Sequence, residues 1–521
     1  MSEPGTITPG PVRPIDLPEV QQCVAQYLDI EDLRHCILVS RQWNQSFLPF
    51  IWQEIRGGSY LSTGENQENI RTPVHSQDVL QRHSHLIRAL YVPAKSPGDY
   101  AISYPRLRSL YLDPYSAELD IPLDEDEEEE EESEEDQQAV LDSFIAIITL
   151  NPSIIKLDLD GLYPPISVDF WTAVSERLPR LKGLAVYRSA LQDEACSHAI
   201  WRTCLRLETL TIQESTIPTS TSTGLLMEGM IFASIRTLRL TNAFGLGAMG
   251  ELDIIARCPQ LKCLEWTTMY SADDEDLIER VSNRFGALGE KVTWPRLENL
   301  GVDFTLQDKD LASILNRTAV SLDTLQFMGT SHPLSNPPYS CTFNALRRHF
   351  HTLDRLIVEG TNALSSHMHQ VILSSCPSLR TFTGCDFAAR DALAPDSGPW
   401  VCLSIKVLRV HFVFGEDEDH LHPLIFERLS KLVRLEDLGG GIKGRRKRGL
   451  DFRLASGLSV LSTLNRLRGI HLGDNQAIGE KEVDWMIEHW PKLSYTVGRL
   501  NSDVKTNHKL LARLDIRSRY P

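Results

Sequence analysis

A short apolar pattern that recurs along the chain limits the fold more strongly than any other feature. The pattern is apolar-x-x-apolar-x-apolar, and from Ile154 to Leu261 its copies start 27, 26, 28 and 26 residues apart. Alternate residues of a short strand face the same side, so each copy offers apolar side chains to one core. One unit cannot bury them alone, so neighbouring units must stack. Clear copies begin at Ile87, Leu107, Ile154, Leu181, Leu207, Ile235, Leu261, Leu297, Leu322, Leu353, Ile405 and Leu467, and degenerate copies begin at Leu379 and Leu493.

The residues between the copies predict the class of fold. Apolar helical stretches precede prolines such as Pro179, Pro259 and Pro491, and a proline ends a helix before the next strand begins. A strand–helix unit repeating every 20–29 residues, roughly, is typical of leucine-rich repeats. We therefore predict an α/β chain in which residues 57–521 form a leucine-rich-repeat solenoid, a horseshoe of strand–helix units with a period near 26 residues.

One acidic run carries most of the net charge. The 521 residues have a formal net charge of −17, and 12 of the 13 residues from Asp124 to Asp136 are acidic, which leaves −5 for the remainder. Like charges repel one another, so residues 120–138 are predicted to be an exposed, disordered insert; the alternative is a docking site for a basic partner. The mildly acidic remainder, without a broad basic face, argues against nucleic acid as a partner.

The N-terminal residues, the lengths of the apolar stretches and the cysteines indicate the cellular compartment. Residues 1–14 lack the apolar core of a secretory signal and are predicted to be a disordered lead-in, and the apolar stretches are shorter than the roughly 20 residues that cross a bilayer. The ten cysteines contain no CxxC pair, which favours reduced, buried thiols. The basic cluster at 443–448 is either a nuclear import signal or a solvated loop. We expect a cytoplasmic or nuclear protein, or one found in both, without a membrane partner.

Residues 15–56 lie outside the repeat and form the densest apolar stretch. Pro18 predicts the first turn of a helix, Asp29 is expected to cap a second helix, and a third segment carries Trp43 before an expected turn at Pro49. A unit of about 40 residues is close to the lower size limit of an independent domain. Its surplus apolar surface must therefore be covered by the following repeats or by another protein.

This module resembles an F-box. Its residues match the family pattern of Leu-Pro, an apolar helix, Leu-Asp-x-x-Asp-Leu, Val-Ser-Arg-x-Trp and a closing Trp, at Leu17, Pro18, Leu28, Asp29, Asp32, Leu33, Val39, Ser40, Arg41, Trp43 and Trp52. Phrases such as HSHLIRALYV and EVDWMIEHWPKL extend the resemblance to fungal proteins that join an F-box to leucine-rich repeats.

The resemblance implies a function. It implies a non-catalytic, cofactor-free substrate-recognition subunit of an SCF-type ubiquitin ligase, bound to a Skp-type adaptor and thereby to a cullin scaffold. The residues that it assigns to the adaptor are Leu17, Pro18, Val20, Val24, Leu28, Leu33, Val39, Trp43 and Trp52.

The target protein is expected on the concave face of the strands. Side chains that alternate with the buried leucines would point there, and their mixed chemistry favours a protein ligand. These residues are Lys156, Asp158, Tyr187, Gln213, Arg239, Glu265, Asp303, Gln326, Arg355, Glu359, Arg409 and His411.

The sequence motifs for dinucleotide binding and for metal binding are weaker than the F-box pattern. Gly245, Gly247 and Gly250 spell GxGxxG, which in a dinucleotide-binding enzyme lets pyrophosphate approach a helix, but the segment is in phase with the repeat and is predicted to be a turn. Histidine pairs spaced by two lack the further ligands of a metal site. A scaffold that binds the adaptor without promoting degradation remains the main alternative.

Overall fold

The computed structural model describes two compact units. One unit is Met1–Ile235 with Ala243–Leu246, and the other is Arg236–Asn242 with Gly247–Pro521. The described residues are 17–56, 76–93, 97–113, 134–161, 166–191, 193–218, 230–267, 283, 293–303, 308–318, 322–328, 340–358, 364–394, 398–439, 448–473, 476–514 and 517–518.

The first unit begins with a three-helix module. Its helices are α1 (Pro18–Ala25), α2 (Ile30–Val39) and α3 (Arg41–Trp52). As expected, Pro18 lies in the first turn of α1 and Asp29 caps α2, accepting a 2.8 Å hydrogen bond from the Asp32 amide. The expected turn at Pro49 is wrong, because α3 continues through this proline. Its fixed φ suits a helix, and apolar side chains of α3 pack on both sides of it against the module core.

The first unit continues as strand–helix repeats. Its strands are parallel and pair in chain order, in an open sheet. They are β1 (Glu54–Arg56), β2 (Ala89–Pro93), β3 (Ser109–Asp113), β4 (Lys156–Asp160), β5 (Gly183–Tyr187) and β6 (Thr209–Gln213). The helices between them are α4 (Gln77–His83), α5 (Glu134–Leu150), α6 (Val168–Arg177) and α7 (Glu194–Cys204).

The second unit has the same architecture. Its parallel strands, again in chain order, are β7 (Thr237–Thr241), β8 (Cys263–Thr267), β9 (Asn299–Asp303), β10 (Thr324–Met328), β11 (Arg355–Val358), β12 (Thr381–Ala388), β13 (Val407–Val413), β14 (Asp437–Gly439), β15 (Gly469–His471), β16 (Tyr495–Val497) and β17 (Arg517–Ser518). Its helices are α8 (Gly247–Ala256), α9 (Asp308–Arg317), α10 (Ser340–Leu346), α11 (Ser366–Ser375), α12 (Ala389–Ala392), α13 (His422–Ser430), α14 (Glu480–His489) and α15 (Val504–Leu514).

The apolar pattern explains both arrays, and the α/β prediction of repeated parallel strands is confirmed. Every predicted copy carries a strand, which begins two residues after the first apolar position. That first residue instead closes a tight turn, as where the Leu107 amide bonds to the Tyr104 carbonyl at 3.0 Å, and it is buried beneath the strand. The second apolar residue of each copy stacks on its neighbours, as Leu110 does on Leu157. Truncating one such leucine to alanine costs about 2–5 kcal/mol.

The structure moves some predicted boundaries. Glu54–Arg56, expected inside the helical module, form β1 and pair with β2, so the module continues directly into the repeats. Of the predicted insert, residues 134–138 belong to α5, because there the chain passes into an apolar helix; residues 120–133 lie outside the described residues, as does the lead-in 1–14. Strands β14 and β17 were not predicted from the pattern.

Among the described residues, no helix has both the length and the apolar character needed to cross a membrane.

Candidate functional site

The residues assigned to an adaptor divide into buried and exposed groups. Leu33 is 6% exposed and packs with Ala25 and Phe47 in the module core, and Leu28 and Trp43 pack against that core. Leu33 therefore supports the fold, and any contribution to an adaptor interface would be indirect. Val20 and Val24 on α1 are half-buried.

Two assigned residues are open to solvent. Leu17, which precedes α1, is 43% exposed, and Val39 at the end of α2 is 63% exposed. Pro18 begins α1 between them in sequence. The Leu17 and Val39 side chains are available to a partner without unfolding of the module.

The closing tryptophan has an intramolecular role. Trp52 at the end of α3 stacks on His83 of α4, with ring centroids 4.1 Å apart and planes at 17°. This contact, together with the pairing of β1 and β2, joins the helical module to the first repeat.

Three further apolar side chains of the module are exposed and were not assigned from the sequence. Leu38, next to Val39, is 80% exposed, and Tyr27 and Ile30 flank the turn between α1 and α2. Single exposed apolar residues are ordinary, but several on one small module mark a surface for another protein. The sequence pattern alone does not separate Leu38 and Ile30 from the core residue Leu33, because all three lie on α2.

A second surface lies on the first strands of the repeats, and we call it the tyrosine row. It consists of Arg56, Tyr91, Tyr111 and Lys156, one from each of β1–β4. Tyr91 and Tyr111 are paired in register and stack with centroids 4.0 Å apart and planes at 4°. The Arg56 guanidinium lies 5.0 Å from the Tyr91 ring, and the Lys156 ammonium lies 4.9 Å from the Tyr111 ring. Both outer ring faces of the tyrosine pair are therefore covered by cations.

Acidic neighbours hold these cations in place. Arg56 pairs with Glu54 at 2.7 Å, and Lys156 pairs with Asp158 at 2.7 Å. Burial would lower the pKa of Lys156, but its hydrogen bond to Asp158 raises it. Burial, the Glu54 charge and the neighbouring Tyr111 raise the pKa of Tyr91 to about 12, so its hydroxyl stays protonated at neutral pH. The row thus presents phenol and cationic groups toward solvent.

The other predicted target-face residues of the first unit lie at strand ends. Tyr187 and Gln213 are register partners at the ends of β5 and β6. Next to them, Arg188 forms a two-bond fork with Asp160, at 3.0 and 2.9 Å. The structure therefore brings Tyr187 and Gln213 together, as the alternation of the strands predicts.

In the second unit the predicted residues form separate pairs. Arg239 and Glu265 are register partners on β7 and β8, and Nε of Arg239 lies 3.1 Å from Oε2 of Glu265. Gln326 and Arg355 occupy neighbouring strands at different heights, since Gln326 pairs with Ile357. Two others cannot be placed as side chains, because Asp303 is described only as the end of β9 and Glu359 lies outside the described residues.

Arg409 belongs to a cluster that crosses four strands, which we call the Asp437 cluster. The Arg409 guanidinium on β13 reaches Asp437 on β14 with two bonds, Nη2 to Oδ2 at 2.7 Å and Nε to Oδ1 at 3.3 Å. His471 on β15 places Nε2 3.1 Å from Oδ1, and the Tyr495 hydroxyl on β16 donates to Oδ2. The Asp437 carboxylate is thus surrounded by three partners, and its side chain is only 8% exposed.

A glycine allows the tyrosine to reach across a strand. Gly469 on β15 lies in register between Asp437 and Tyr495, and a Cβ at this position would overlap the Tyr495 ring. The ring therefore lies over the glycine and bonds to a carboxylate two strands away. No side chain other than hydrogen leaves this space open.

The partners change the acidity of the carboxylate. Burial alone would raise the pKa of Asp437, but contacts with His471, Arg409 and Tyr495 outweigh it and hold the pKa well below its usual range. In return, the hydrogen bond to Asp437 raises the pKa of Arg409, and burial together with the same carboxylate raises the pKa of Tyr495. Asp437 is therefore ionised at neutral pH and acts as the centre of an internal network.

His411, another predicted target-face residue, is also paired inside the fold. Its Nδ1 lies 3.1 Å from Oδ1 of Asp386, its register partner on β12. Gly449 faces the other side of the ring, and the nearby Arg448 carbonyl accepts from the Phe414 amide at 3.1 Å. Residues 448–450 therefore cover the end of β13, and His411 is buried.

The glycine motif has a packing role. Gly245 has φ of +85°, and a Cβ there would overlap the carbonyl oxygen of Ile217, whose amide bonds to Phe244 at 2.8 Å. Gly247 is the first residue of α8. Close backbone approach therefore accounts for Gly245, which agrees with the interpretation of the motif as a repeat turn.

The histidine pairs are separated by their environments. His349 is buried with Nε2 3.2 Å from the Leu315 carbonyl, whereas His351 is exposed. In the described part of the chain, no group of three or more His, Cys, Asp or Glu side chains is arranged to hold a metal ion.

Sequence reasoning missed the aromatic and acidic members of both strand surfaces. Tyr91 and Tyr111 sit at the alternating position of clear copies, so the signal was present in IRALYV and LRSLYL. Asp437 lies in a copy whose last apolar position is Gly440, and Tyr495 lies in a degenerate copy. A search tolerant of one lost apolar position would have found the copy that contains Asp437, whereas the copy that contains Tyr495 lacks two, at Thr496 and Gly498.

Comparison with known proteins adds little. No protein-family model and no curated protein sequence matches the chain. Solved structures that resemble it include the complex of Rad7 and Elc1 in yeast and the complex of TLR13 with ssRNA13. The first is 12% identical over 69% of this chain and 73% of that chain with a TM-score of 0.37, and the second is 12% identical over 83% and 60% with a TM-score of 0.32. Similarity at this level assigns no function to the chain.

Proposed function

We propose that this chain is the substrate-recognition subunit of a cullin-type (SCF) ubiquitin ligase. Its helical module is an F-box that binds a Skp-type adaptor, and its strand faces bind the target protein. The observation that carries the proposal is the coincidence, in residues 17–52, of the F-box pattern with three short helices that leave apolar side chains exposed.

The adaptor surface follows from this exposure. Leu17, Pro18 and Val39 come from the F-box pattern, and Leu38 adds a neighbouring apolar side chain. Apolar side chains of short helices that become buried in a partner supply most of the affinity of such interfaces. Leu33 and Trp43 hold the three helices in the geometry that presents them.

The proposed mechanism involves no chemistry by this chain. The adaptor fixes the chain to the cullin scaffold, and the strand faces hold a target close to the ubiquitin-conjugating enzyme. Holding two reactants together converts an encounter in solution into an effectively unimolecular step. Ubiquitin-dependent degradation of the target is the expected consequence.

Copurification tests this proposal. The tagged full chain is expected to recover both the adaptor and the cullin, and Leu17→Ala with Pro18→Ala is expected to reduce recovery of both about tenfold or more. Leu424→Ala is the matched control, because Leu424 on α13 is 44% exposed, almost equal to 43% for Leu17.

The outcomes separate the alternatives. Failure of the wild-type chain to recover any adaptor, or equal recovery by the double variant, would contradict the F-box assignment. Recovery of the adaptor without the cullin would favour a scaffold that does not promote degradation.

A further inference from the structure

The residue immediately before each strand occupies what we call the edge position, and in several repeats this position holds ion pairs. Oppositely charged residues on adjacent strands face each other there, at N–O distances of 2.7–3.2 Å. The pairs are Lys182 with Glu208, Lys262 with Glu298, Arg380 with Asp354, and Lys406 with Glu436. The edge of the sheet is thus mostly neutralised within the molecule.

Strands β2 and β3 depart from this arrangement. Their edge positions are Arg88 and Arg108, which are adjacent, since the Arg108 amide bonds to the Arg88 carbonyl at 2.8 Å. The edge positions on either side are Gln53 and Ile155, so no acid adjoins them. Arg106 in the same turn adds a third exposed arginine.

These three arginines form what we call the arginine edge. Within the described ranges, none of the three makes an ion pair, and all three side chains are exposed. Like charges that face each other on neighbouring strands destabilise a sheet. Like charges also adjoin at Arg236 and Lys262 and at Asp323 and Asp354, but there Lys262 and Asp354 are held in ion pairs. An adjacent pair of like charges in which neither member is paired points to a compensating charge supplied by another molecule.

We propose that the arginine edge binds an acidic segment of the target protein. The proposal deepens the proposed function, on which it rests for the identity of that partner as a target. Guanidinium groups bind carboxylates through two parallel hydrogen bonds, and strands about 4.8 Å apart place Arg88 and Arg108 within reach of neighbouring acids of one peptide.

The surroundings favour a protein segment over a nucleic acid. Tyr91 and Tyr111 of the tyrosine row lie on β2 and β3, the strands that Arg88 and Arg108 precede, and tyrosine and arginine are enriched at protein interfaces. A nucleic acid would instead require an extended basic surface, and the chain carries a net charge of −17.

Fluorescence anisotropy of the full chain with a short fluorescein-labelled polyglutamate peptide tests the proposal. Arg88→Glu with Arg108→Glu is expected to weaken binding about tenfold or more, and added salt is expected to weaken wild-type binding. Lys182→Glu with Glu208→Lys is the matched control, because it reverses two exposed edge charges while preserving their pair. The control is expected to bind as the wild type does.

Several results would overturn the proposal. Equal binding by the wild type and the arginine variant excludes the arginine edge, and binding to single-stranded RNA but not to polyglutamate identifies a different ligand. Binding of polyglutamate only after deletion of residues 120–133 would make the acidic run of this chain the occupant.

Two controls keep the test independent of folding and of the proposed function. Unfolding temperatures of the variants show whether they are folded, with Arg88→Gln and Arg108→Gln as a milder pair. Adaptor recovery from the same preparations reports on the F-box separately, so loss of peptide binding with retained adaptor contradicts only the arginine edge.

Discussion

The tyrosine row of the first unit and the Asp437 cluster of the second occupy the same kind of position, the strand face that alternates with the buried leucines. In the row, stacked phenols and two half-exposed cations face solvent. In the cluster, arginine, histidine and tyrosine all turn toward one buried carboxylate. The polar groups of the cluster are therefore bonded to one another inside the fold, whereas those of the row face solvent.

Strand alternation alone therefore does not define a binding surface. Arg409 and His411 were predicted to bind the target, yet both are engaged inside the fold, with Asp437 and Asp386. Tyr91 and Tyr111 were not predicted, yet their surface is open. We expect changes in the Asp437 cluster to affect mainly stability, and changes in the tyrosine row or arginine edge to affect mainly binding.

The largest effect is expected from loss of the central carboxylate. Asp437→Ala removes the buried acceptor that Arg409, His471 and Tyr495 share, and should lower the free energy of unfolding by about 3 kcal/mol. Lys156→Ala in the tyrosine row removes a half-exposed cation that has one carboxylate partner, Asp158, and should cost about 1 kcal/mol or less. Urea unfolding of both variants measures the two losses in free energy of unfolding. Losses of similar size would contradict the difference expected between the cluster and the row.

A smaller loss is expected at the glycine beneath the tyrosine. Gly469→Ala places a Cβ in the space of the Tyr495 ring and should cost about 2 kcal/mol. Tyr495→Ala in the same chain removes the overlap, so the double variant should be more stable than the sum of the two single losses predicts. Additive losses in the double-mutant cycle would show that the ring does not lie over Gly469.

The pH dependence should distinguish the cluster from the row. Contacts with Arg409 and its neighbours lower the folded pKa of Asp437 below the unfolded value of about 3.9, so the unfolded state binds the extra proton first as pH falls. The contribution of ionised Asp437 to the free energy of unfolding is therefore fully present above about pH 5 and is lost as pH falls below about 4.

Asp437→Asn provides the measurement of this linkage. The variant should be about 1.5 kcal/mol less stable than the wild type at neutral pH, and the difference should shrink as pH falls below about 4. Denaturant titrations at several pH values follow it. A difference that stays constant down to the lowest pH at which the chain folds would mean that Asp437 is not ionised through the cluster.

The smallest effect has the opposite sign. Arg88→Ala removes one member of an uncompensated like-charge pair, and should raise the free energy of unfolding by about 0.3 kcal/mol. Arg380→Ala breaks the pair with Asp354 and should leave stability unchanged or slightly reduced. Thermal unfolding at low salt compares them, and clear destabilisation by Arg88→Ala would show that the arginine has an intramolecular partner.

Much of the fold could be predicted from the sequence, because every repeat buries apolar side chains at the same positions of the pattern. Leu110 and Leu157 are buried because their copies alternate, and the period located both strands. Strand β14 was missed because Gly440 replaces the last apolar residue of its copy. Pro49 was expected to turn the chain, but packing of α3 on the module core keeps the helix continuous.

The functional surfaces were harder to predict, because exposure depends on tertiary packing. Leu33 and Leu38 lie on the same helix, and only the packing of α1 and α3 makes the first a core residue and the second a surface residue. The link between Asp437 and Tyr495 joins residues 58 positions apart and depends on the absence of a side chain at Gly469. No local pattern reports such a contact.

Calorimetric titration of the purified adaptor into the full chain measures whether the exposed apolar surface of the helical module binds a Skp-type adaptor. We expect one-to-one binding by the wild type, a loss of about tenfold or more in affinity for Val39→Asp, and unchanged affinity for Val433→Asp. Val433 in the second unit is the matched control, because its side chain is 51% exposed against 63% for Val39. Absence of wild-type binding, or equal affinities for the two variants, would contradict binding of the adaptor through this surface.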